Sequence, residues 1–274
     1  MHVDSIAQSP TNLQTTTPIL FFTRWITYLC APTFVFLAGT SAYVSFQKKN
    51  NAAQSRAFLL KRGLYLILLE LIVVNFALFF DVAYHTIIFE VIATIGFGFI
   101  MLGLLLNATV KLIGAIGLII IFCHNLTPLI PFADGSTAKT VFMLFFSPGG
   151  VPLSQNHVFV MAYPPIPWLG IMLVGFASGK FFAMADEARK RLFITIGAVA
   201  LVLFAAIRAI NVYGDSVKWT EQKSAVFSFL SFMNVTKYPP SLQFCLVTLG
   251  IIFFIACLHR KCKEQSIKDC ICIW

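Results

Sequence analysis

Charged side chains are scarce in this sequence. Asp, Glu, Lys and Arg together make up 11% of the 274 residues, whereas a soluble domain usually contains about 25%. Apolar residues account for 58%, and phenylalanine alone fills 29 positions. A run of roughly 20 apolar residues crosses a hydrocarbon core about 30 Å thick, and several such runs follow one another here. The lack of charge excludes an ordinary soluble domain and predicts an all-α class, a polytopic helical membrane bundle.

Spacings typical of disulfides and metal sites are missing as well. The seven cysteines are odd in number, and no two of them stand at a disulfide-like spacing in a predicted extracellular loop. Cys262, Cys270 and Cys272 lack a fourth ligand at a regular spacing, so no metal site is expected. No internal repeat of fixed period is evident. We therefore predict one membrane domain over residues 1–258 and a basic cytoplasmic tail over residues 259–274.

Basic residues are divided unevenly between the two sides of the predicted spans. Seven spans are predicted, at about residues 20–46, 63–80, 86–106, 110–130, 158–181, 192–211 and 240–258. One side carries 14 of the 20 Lys and Arg residues, and the positive-inside rule makes that side cytoplasmic. The net charge of +9 is then explained by the basic residues on the cytoplasmic side of the membrane. Because of this, nucleic acid is not an expected partner. The pattern predicts a multi-pass protein of the cytoplasmic, or inner, membrane, surrounded by membrane lipids.

Several residues that are unfavourable in hydrocarbon lie inside the apolar spans. The first span contains Arg24 and Pro32. Arg24 is expected either to face the bundle interior near the outer surface, satisfied by a protein group or a substrate anion, or to reach the headgroups. Pro32 would bend the helix around a cavity. Glu70 and Glu90 also lie in spans, where an ionisable group marks a site or has a partner; Arg62 is one candidate partner for Glu70.

Proline clusters mark the outer ends of two spans. AYPPIPWLG, at 162–170, predicts an unwound or kinked helix end. NVTKYPPSL, at 234–242, predicts a helix that begins with proline in its first turn and has its N-terminus facing outwards. Such an end suits an anion or a developing oxyanion, and Lys237 and Tyr238 stand beside it. The alternative is a plain helix start with an interfacial Lys/Tyr pair.

Five blocks of the sequence together resemble a known family. They are LFFTRWITYLCAPTFVFLAGTSAY (20–43), KRGLYLILLELIVVNF (61–76), YPPIPWLGIMLVGF (163–176), RAINVYGD (208–215) and FLSFMNVTKYPPSLQFCLVTLG (229–250). In this order they resemble a bacterial membrane family described as heparan-alpha-glucosaminide N-acetyltransferase catalytic-domain-like. Relatives usually begin with a further helix and continue past the position of Gly250, so the resemblance implies a chain truncated at both ends.

The resemblance implies a membrane acyltransferase. The related lysosomal enzyme takes acetyl from cytosolic acetyl-CoA, so acyl-CoA is the expected donor. The expected acceptor is an amine or hydroxyl of an extracytoplasmic glycan. His2 precedes the first span and by position matches the family's reactive histidine. It is the expected base or transient acyl carrier, with His124 as the alternative.

The remaining candidate site residues are basic or phenolic. Arg24 and Lys237 would stabilise negative charge that develops during acyl transfer, with Tyr238 beside them. Two basic residues on the predicted cytoplasmic side, Lys61 and Arg62, would bind the phosphates of acyl-CoA. The alternative is that they only fix the orientation of the protein in the membrane.

Two other functions stay open at this point. Broken helices and buried charges also suit a small-molecule transporter. A third alternative is an inactive remnant of the family, which the implied truncation at both ends supports. Relatives also often have histidine where this chain has Tyr28. The protein could also form a homo-oligomer, so a second copy of the chain is a candidate partner in addition to the membrane lipids and the glycan acceptor.

Overall fold

The computed structural model describes residues 11–49, 51–133 and 136–258, so His2 and the predicted tail at 259–274 lie outside it. The α-helices are α1 (Pro18–Thr27), α2 (Cys30–Lys49), α3 (Ala52–Leu68), α4 (Asn75–Phe79), α5 (Val91–Leu105), α6 (Val110–Cys123), α7 (Thr137–Phe146), α8 (Pro165–Ser178), α9 (Asp186–Ile210), α10 (Ala225–Met233) and α11 (Leu242–Leu258). A π-helical turn, Leu69–Val74, joins α3 to α4. The 3₁₀ segments His124–Leu129 and Gly179–Ala183 extend α6 and α8.

The helices confirm the all-α membrane class, although the number of spans is not confirmed. Among the described residues, four helical segments are long and apolar enough to cross a membrane: Pro18–Lys49, Val110–Leu129, Pro165–Ala183 and Asp186–Ile210. Three shorter apolar helices accompany them: Val91–Leu105, Thr137–Phe146 and Leu242–Cys257. The prediction of about seven spans therefore goes beyond what these lengths support.

Two predicted spans begin as β-strands rather than as helix. Strand β1 (Thr86–Phe89) pairs in parallel with β3 (Val158–Met161), and β2 (Gly149–Pro152) pairs antiparallel with β3. The β-branched and aromatic residues of TIIF and VFVM fit a half-buried sheet surface. Their apolar character made them look like the first turns of the following helices. This small sheet places the segment that leads into α5 next to the segment that leads into α8.

The first predicted span is two helices rather than one bent helix. α1 ends at Thr27 and α2 starts at Cys30, and the break falls at Tyr28 and Leu29. Pro32 is therefore in the first turn of α2, where a missing N–H costs no intrahelical hydrogen bond. The break brings the Tyr28 side chain to the end of the bundle.

Close helix contacts surround α8, the central helix of the bundle. A Cβ atom on Gly175 would collide with the backbone carbonyl of Phe36 in α2, and one on Gly179 would lie 2.6 Å from the Cβ of Tyr43. Gly175 and Gly179 form a G-x-x-x-G spacing, which permits this close approach of two helices. The buried rings of Trp168 and Phe176 fill the centre beside these contacts.

Glu70 is held by backbone groups rather than by a cation. Its side chain is buried, with the residue 1% exposed, and its carboxylate accepts hydrogen bonds from the backbone N–H groups of Glu90 and, at 2.8 Å, Ala93. Glu90 is the N-cap residue of α5 and Ala93 lies in its first turn, and the Glu90 side chain does not cap the helix. Arg62 is not the partner of Glu70. The negative charge is stabilised by the positive end of the α5 dipole.

This capping role gives a stability prediction for Glu70. Glu70→Ala leaves two N–H groups without a partner, and each such group costs about 1–3 kcal/mol when buried. Glu70→Gln retains one acceptor oxygen and should lower the unfolding temperature in detergent less than Glu70→Ala does. Equal losses in the two variants would mean that the charge, and not the acceptors, stabilises the fold.

Candidate active site

Loops from four parts of the chain meet at one end of the bundle. Tyr28 follows α1, Glu90 precedes α5, and Tyr163 lies between β3 and α8. Lys237 and Tyr238 lie in the connection from α10 to α11. The indole N–H of Trp25 donates to the carbonyl of Met233 at 3.0 Å and ties α1 to that connection. Side chains more than 200 positions apart in sequence are thereby adjacent.

Two cations converge on the Tyr28 ring. The guanidinium carbon of Arg24 lies 6.0 Å from the ring centroid, and the Lys237 ammonium lies 5.3 Å from it. Lys237 is also 5.0 Å from the Tyr238 ring. Over the described ranges, neither cation forms an ion pair with a carboxylate. Arg24 is exposed rather than enclosed in the bundle interior, so this end of the protein presents positive charge that an external anion can reach.

A pair of phenols stands beside these cations. The hydroxyl groups of Tyr163 and Tyr238 are 2.9 Å apart, and their ring centroids are 5.0 Å apart. The backbone N–H of Tyr163 donates to the carbonyl of Phe89, which places Glu90 next to the pair. The half-buried Glu90 and Arg24 both act electrostatically on Tyr163. The cluster thus contains proton donors, cations and one carboxylate.

The connection before α11 also borders a cavity of about 280 Å³. Tyr28, Lys237 and Tyr238 contribute to its wall together with Asn234 and Thr236. A volume of this size holds a small polar group, such as the end of a sugar, rather than a whole cofactor.

A buried ion pair holds Lys237 and Tyr238 in position. Arg208 is 2% exposed and donates to the backbone carbonyls of Val217, Ser231, Phe232 and Asn234 at 2.8–3.2 Å. Asp215 lies 3.9 Å from the guanidinium and accepts from the backbone and hydroxyl of Thr236 and from the Ser241 hydroxyl. Sequence reasoning gave neither residue a role in the site, although both lie in the block RAINVYGD.

His124 lies at the end of α6, beside Pro240 of the α10–α11 connection, but does not contact the Tyr28 ring. It is 6% exposed, and its Nδ1 lies 2.9 and 3.0 Å from the carbonyls of Ile120 and Ile121, which places the ring proton on Nδ1. Its Nε2 is buried with no hydrogen-bond partner within residues 11–49, 51–133 and 136–258. No hydrogen bond or ring contact between described residues joins it to Lys237 or Tyr238. Its role as the alternative base stays a prediction.

Two other histidines form a separate surface cluster. The rings of His85 and His157 stack with centroids 5.5 Å apart. The His85 backbone N–H and ring both bond to Asp81, and these bonds hold the pKa of the Asp81 carboxyl below its usual value. The His157 ring bonds to Ser154 and to the carbonyl of Ala83. These contacts connect the strand β1 loop to the β2–β3 hairpin.

Lys61 and Arg62 are not part of the cationic cluster. Both are exposed on α3, and Arg62 stacks over Phe58 and Phe99 at 6.0 and 5.4 Å. Arg62 is eight residues before Glu70, whose carboxylate accepts from the Glu90 N–H, so the helical rise from Arg62 to the level of Glu90 is about 12 Å. A role in binding acyl-CoA at this end stays a prediction.

Comparison with known proteins gives one match. Residues 7–213 match the profile of a family described as heparan-alpha-glucosaminide N-acetyltransferase, catalytic. The matched region contains Arg24, Tyr28, Glu90 and Tyr163, and ends before Lys237. No curated protein and no solved structure matches the chain.

Proposed function

Because the chain belongs to the heparan-alpha-glucosaminide N-acetyltransferase catalytic family, a family of membrane acetyltransferases, we propose that it transfers an acetyl group from acetyl-CoA to an amine or hydroxyl of a glycan. The observation that carries the proposal is the convergence of Arg24 and Lys237 on Tyr28, next to the Tyr163–Tyr238 pair. Acetyl transfer needs stabilisation of one negative oxygen, and this cluster offers cations and hydroxyl donors for it.

The reaction requires a base as well as an oxyanion site. The acceptor nitrogen or oxygen attacks the acetyl carbonyl carbon, and the bond from that carbon to the CoA sulfur breaks. The base takes the proton of the attacking group and passes it to the leaving thiolate. His2 is the proposed base or transient acyl carrier. Glu90 is a second candidate for the base, since it is the carboxylate next to Tyr163.

The donor and the acceptor would reach the site from opposite ends. In this proposal Lys61 and Arg62 bind the CoA phosphates at the cytoplasmic side, and the pantetheine arm extends into the bundle. The glycan approaches the cationic cluster from outside. This arrangement fits seven spans in a cytoplasmic or inner membrane, with most Lys and Arg residues on the cytoplasmic side.

Two histidine variants test the assignment of the base. With radiolabelled acetyl-CoA and membrane glycans, His2→Ala should lower acetyl transfer by roughly 10²–10⁴-fold as a base, and by more as an acyl carrier. Expression and unfolding temperature should stay at the wild-type level, as for Lys218→Ala used as an exposed control. Loss only in His124→Ala would move the base to the end of α6. Normal transfer in both His2→Ala and His124→Ala would leave Glu90 as the remaining base candidate.

A further inference from the structure

A second cavity lies between two pairs of helices. α6 packs on α8 through Gly117 and Gly170, and α9 packs on α11 through Gly197 and Gly250. α6 and α11 approach each other only loosely, so a groove of about 470 Å³ stays between the pairs. Its wall consists largely of apolar side chains from all four helices, including Leu118, Ile196 and Leu249. The groove is a different space from the cavity beside Lys237.

Two lysines stand together at one end of this groove. A Cβ on Gly114 would lie 2.8 Å from the Cβ of Ala177, so these two positions face each other in the antiparallel pair α6 and α8. Lys111 is three residues before Gly114, and Lys180 is three residues after Ala177. The two lysines are therefore at the same level, about one turn from the facing pair, and both line the groove.

Among the described residues, no carboxylate neutralises the two lysines. Across the described part of the chain, neither Lys111 nor Lys180 forms an ion pair with a carboxylate. The Lys180 ammonium lies 5.2 Å from the ring centroid of Phe181, which also lines the groove, and Ser178 adds a hydroxyl to the wall. This end of the groove is a cationic, hydrogen-bonding site above an apolar slot.

The groove is long enough for one acyl chain. Along α6 the groove extends from Val110 to Phe122, a helical rise of about 18 Å. That is roughly one leaflet of a hydrocarbon core about 30 Å thick. We propose that the groove binds an anionic glycerophospholipid, with the phosphate between Lys111 and Lys180 and one acyl chain along the slot.

The chemistry favours this occupant over the alternatives. An apolar slot alone would accept any lipid tail, whereas two neighbouring ammonium groups select a headgroup with net negative charge. A second copy of the chain would have to bring carboxylates to the same level, and the sequence has only 11 Asp and Glu residues. The bound lipid would fill the gap between the two helix pairs and stabilise them against each other.

Headgroup selectivity of the full chain tests the proposal directly. Delipidated protein in detergent is titrated with dioleoyl phosphatidylglycerol or dioleoyl phosphatidylcholine, and retained lipid is measured by native mass spectrometry. The acyl chains are identical, so only the headgroup charge differs. We expect about tenfold or greater preference for phosphatidylglycerol. Equal retention of the two lipids by the wild-type protein would overturn the proposal without the need for any variant.

Variants locate the binding site. Lys111→Gln and Lys180→Gln should each weaken phosphatidylglycerol retention about fivefold, and both together roughly 30-fold. Ala115→Phe, at an exposed position in the slot, should weaken retention of both lipids. Lys190→Gln is the matched control, since Lys190 pairs with Glu187 and does not line the groove.

Wild-type retention in the double lysine variant would contradict the proposed site. Two further results would contradict it. The first is that the protein retains palmitoyl-CoA and phosphatidylglycerol does not displace it. The second is that the protein shows no lipid preference and forms a dimer that Ala115→Phe dissociates.

Discussion

Replacing Lys237 with methionine is expected to lower kcat/KM for acetyl transfer by about 10²–10³-fold, because removing one donor from an oxyanion site has an effect of this size. The ammonium has no carboxylate partner among the described residues and lies over the rings of Tyr28 and Tyr238. Methionine has a similar length and removes only the charge. The unfolding temperature should therefore change little. Steady-state kinetics with acetyl-CoA and a sugar amine give the measurement.

Matched variants separate the charge from general surface effects. Lys237→Arg should retain a large part of the activity, because it keeps the cation. Lys218→Met removes an exposed lysine from the preceding loop and should behave like the wild type. Arg24→Met should also lower kcat/KM. In the double variant, the loss of transition-state stabilisation should be smaller than the sum of the two single losses, because both cations would stabilise the same oxyanion. Wild-type kcat/KM in Lys237→Met would remove this residue from the site.

Arg208→Met is expected to give the largest loss of stability in the chain. Breaking a buried ion pair by removing one partner costs about 3–5 kcal/mol, since the other charge stays buried without compensation. Here Asp215 would keep its charge, and the carbonyls of Val217, Ser231, Phe232 and Asn234 would lose a donor. Thermal unfolding in detergent, together with the yield of folded protein, is the measurement.

The control for Arg208 lies on the same helix. Arg191→Met removes an exposed guanidinium from the beginning of α9 and should leave the unfolding temperature nearly unchanged. Arg208→Lys should be intermediate, because a single ammonium cannot reproduce a planar fork of donors. An unfolding temperature for Arg208→Met equal to that of Arg191→Met would show that the buried network does not hold the α10–α11 connection.

Helical character and the membrane class could be predicted from composition because they depend on average hydrophobicity. The selection of Arg24, Lys237 and Tyr238 also rested on local signals, namely a cation in an apolar run and residues beside a pair of prolines. The structure brings these three together around Tyr28. Their distances could not be predicted, since they depend on the break between α1 and α2 and on the path of the α10–α11 connection.

Other features needed information that a linear pattern does not contain. Glu70 looked like a partner for a cation, yet its partners are backbone N–H groups of α5, which no residue type in the sequence reveals. The residues of β1 and β3 were apolar enough to be included in helical spans, and only their pairing with each other makes them strands. Nothing in the sequence indicated a role for Arg208, because its acceptors are carbonyls nine or more positions away.

Acetyl transfer across a sealed membrane tests the central proposal most directly. The full-length protein is reconstituted into vesicles with radiolabelled acetyl-CoA on one side and glucosamine on the other, and labelled N-acetylglucosamine is counted over time. We expect product on the side that carries Lys237, and only when acetyl-CoA is on the side that carries Lys61 and Arg62. Lys237→Met should reduce the rate about 10²–10³-fold. Two results would contradict the proposal. One is product formation that Lys237→Met does not affect. The other is movement of unmodified glucosamine across the membrane with no acetylated product.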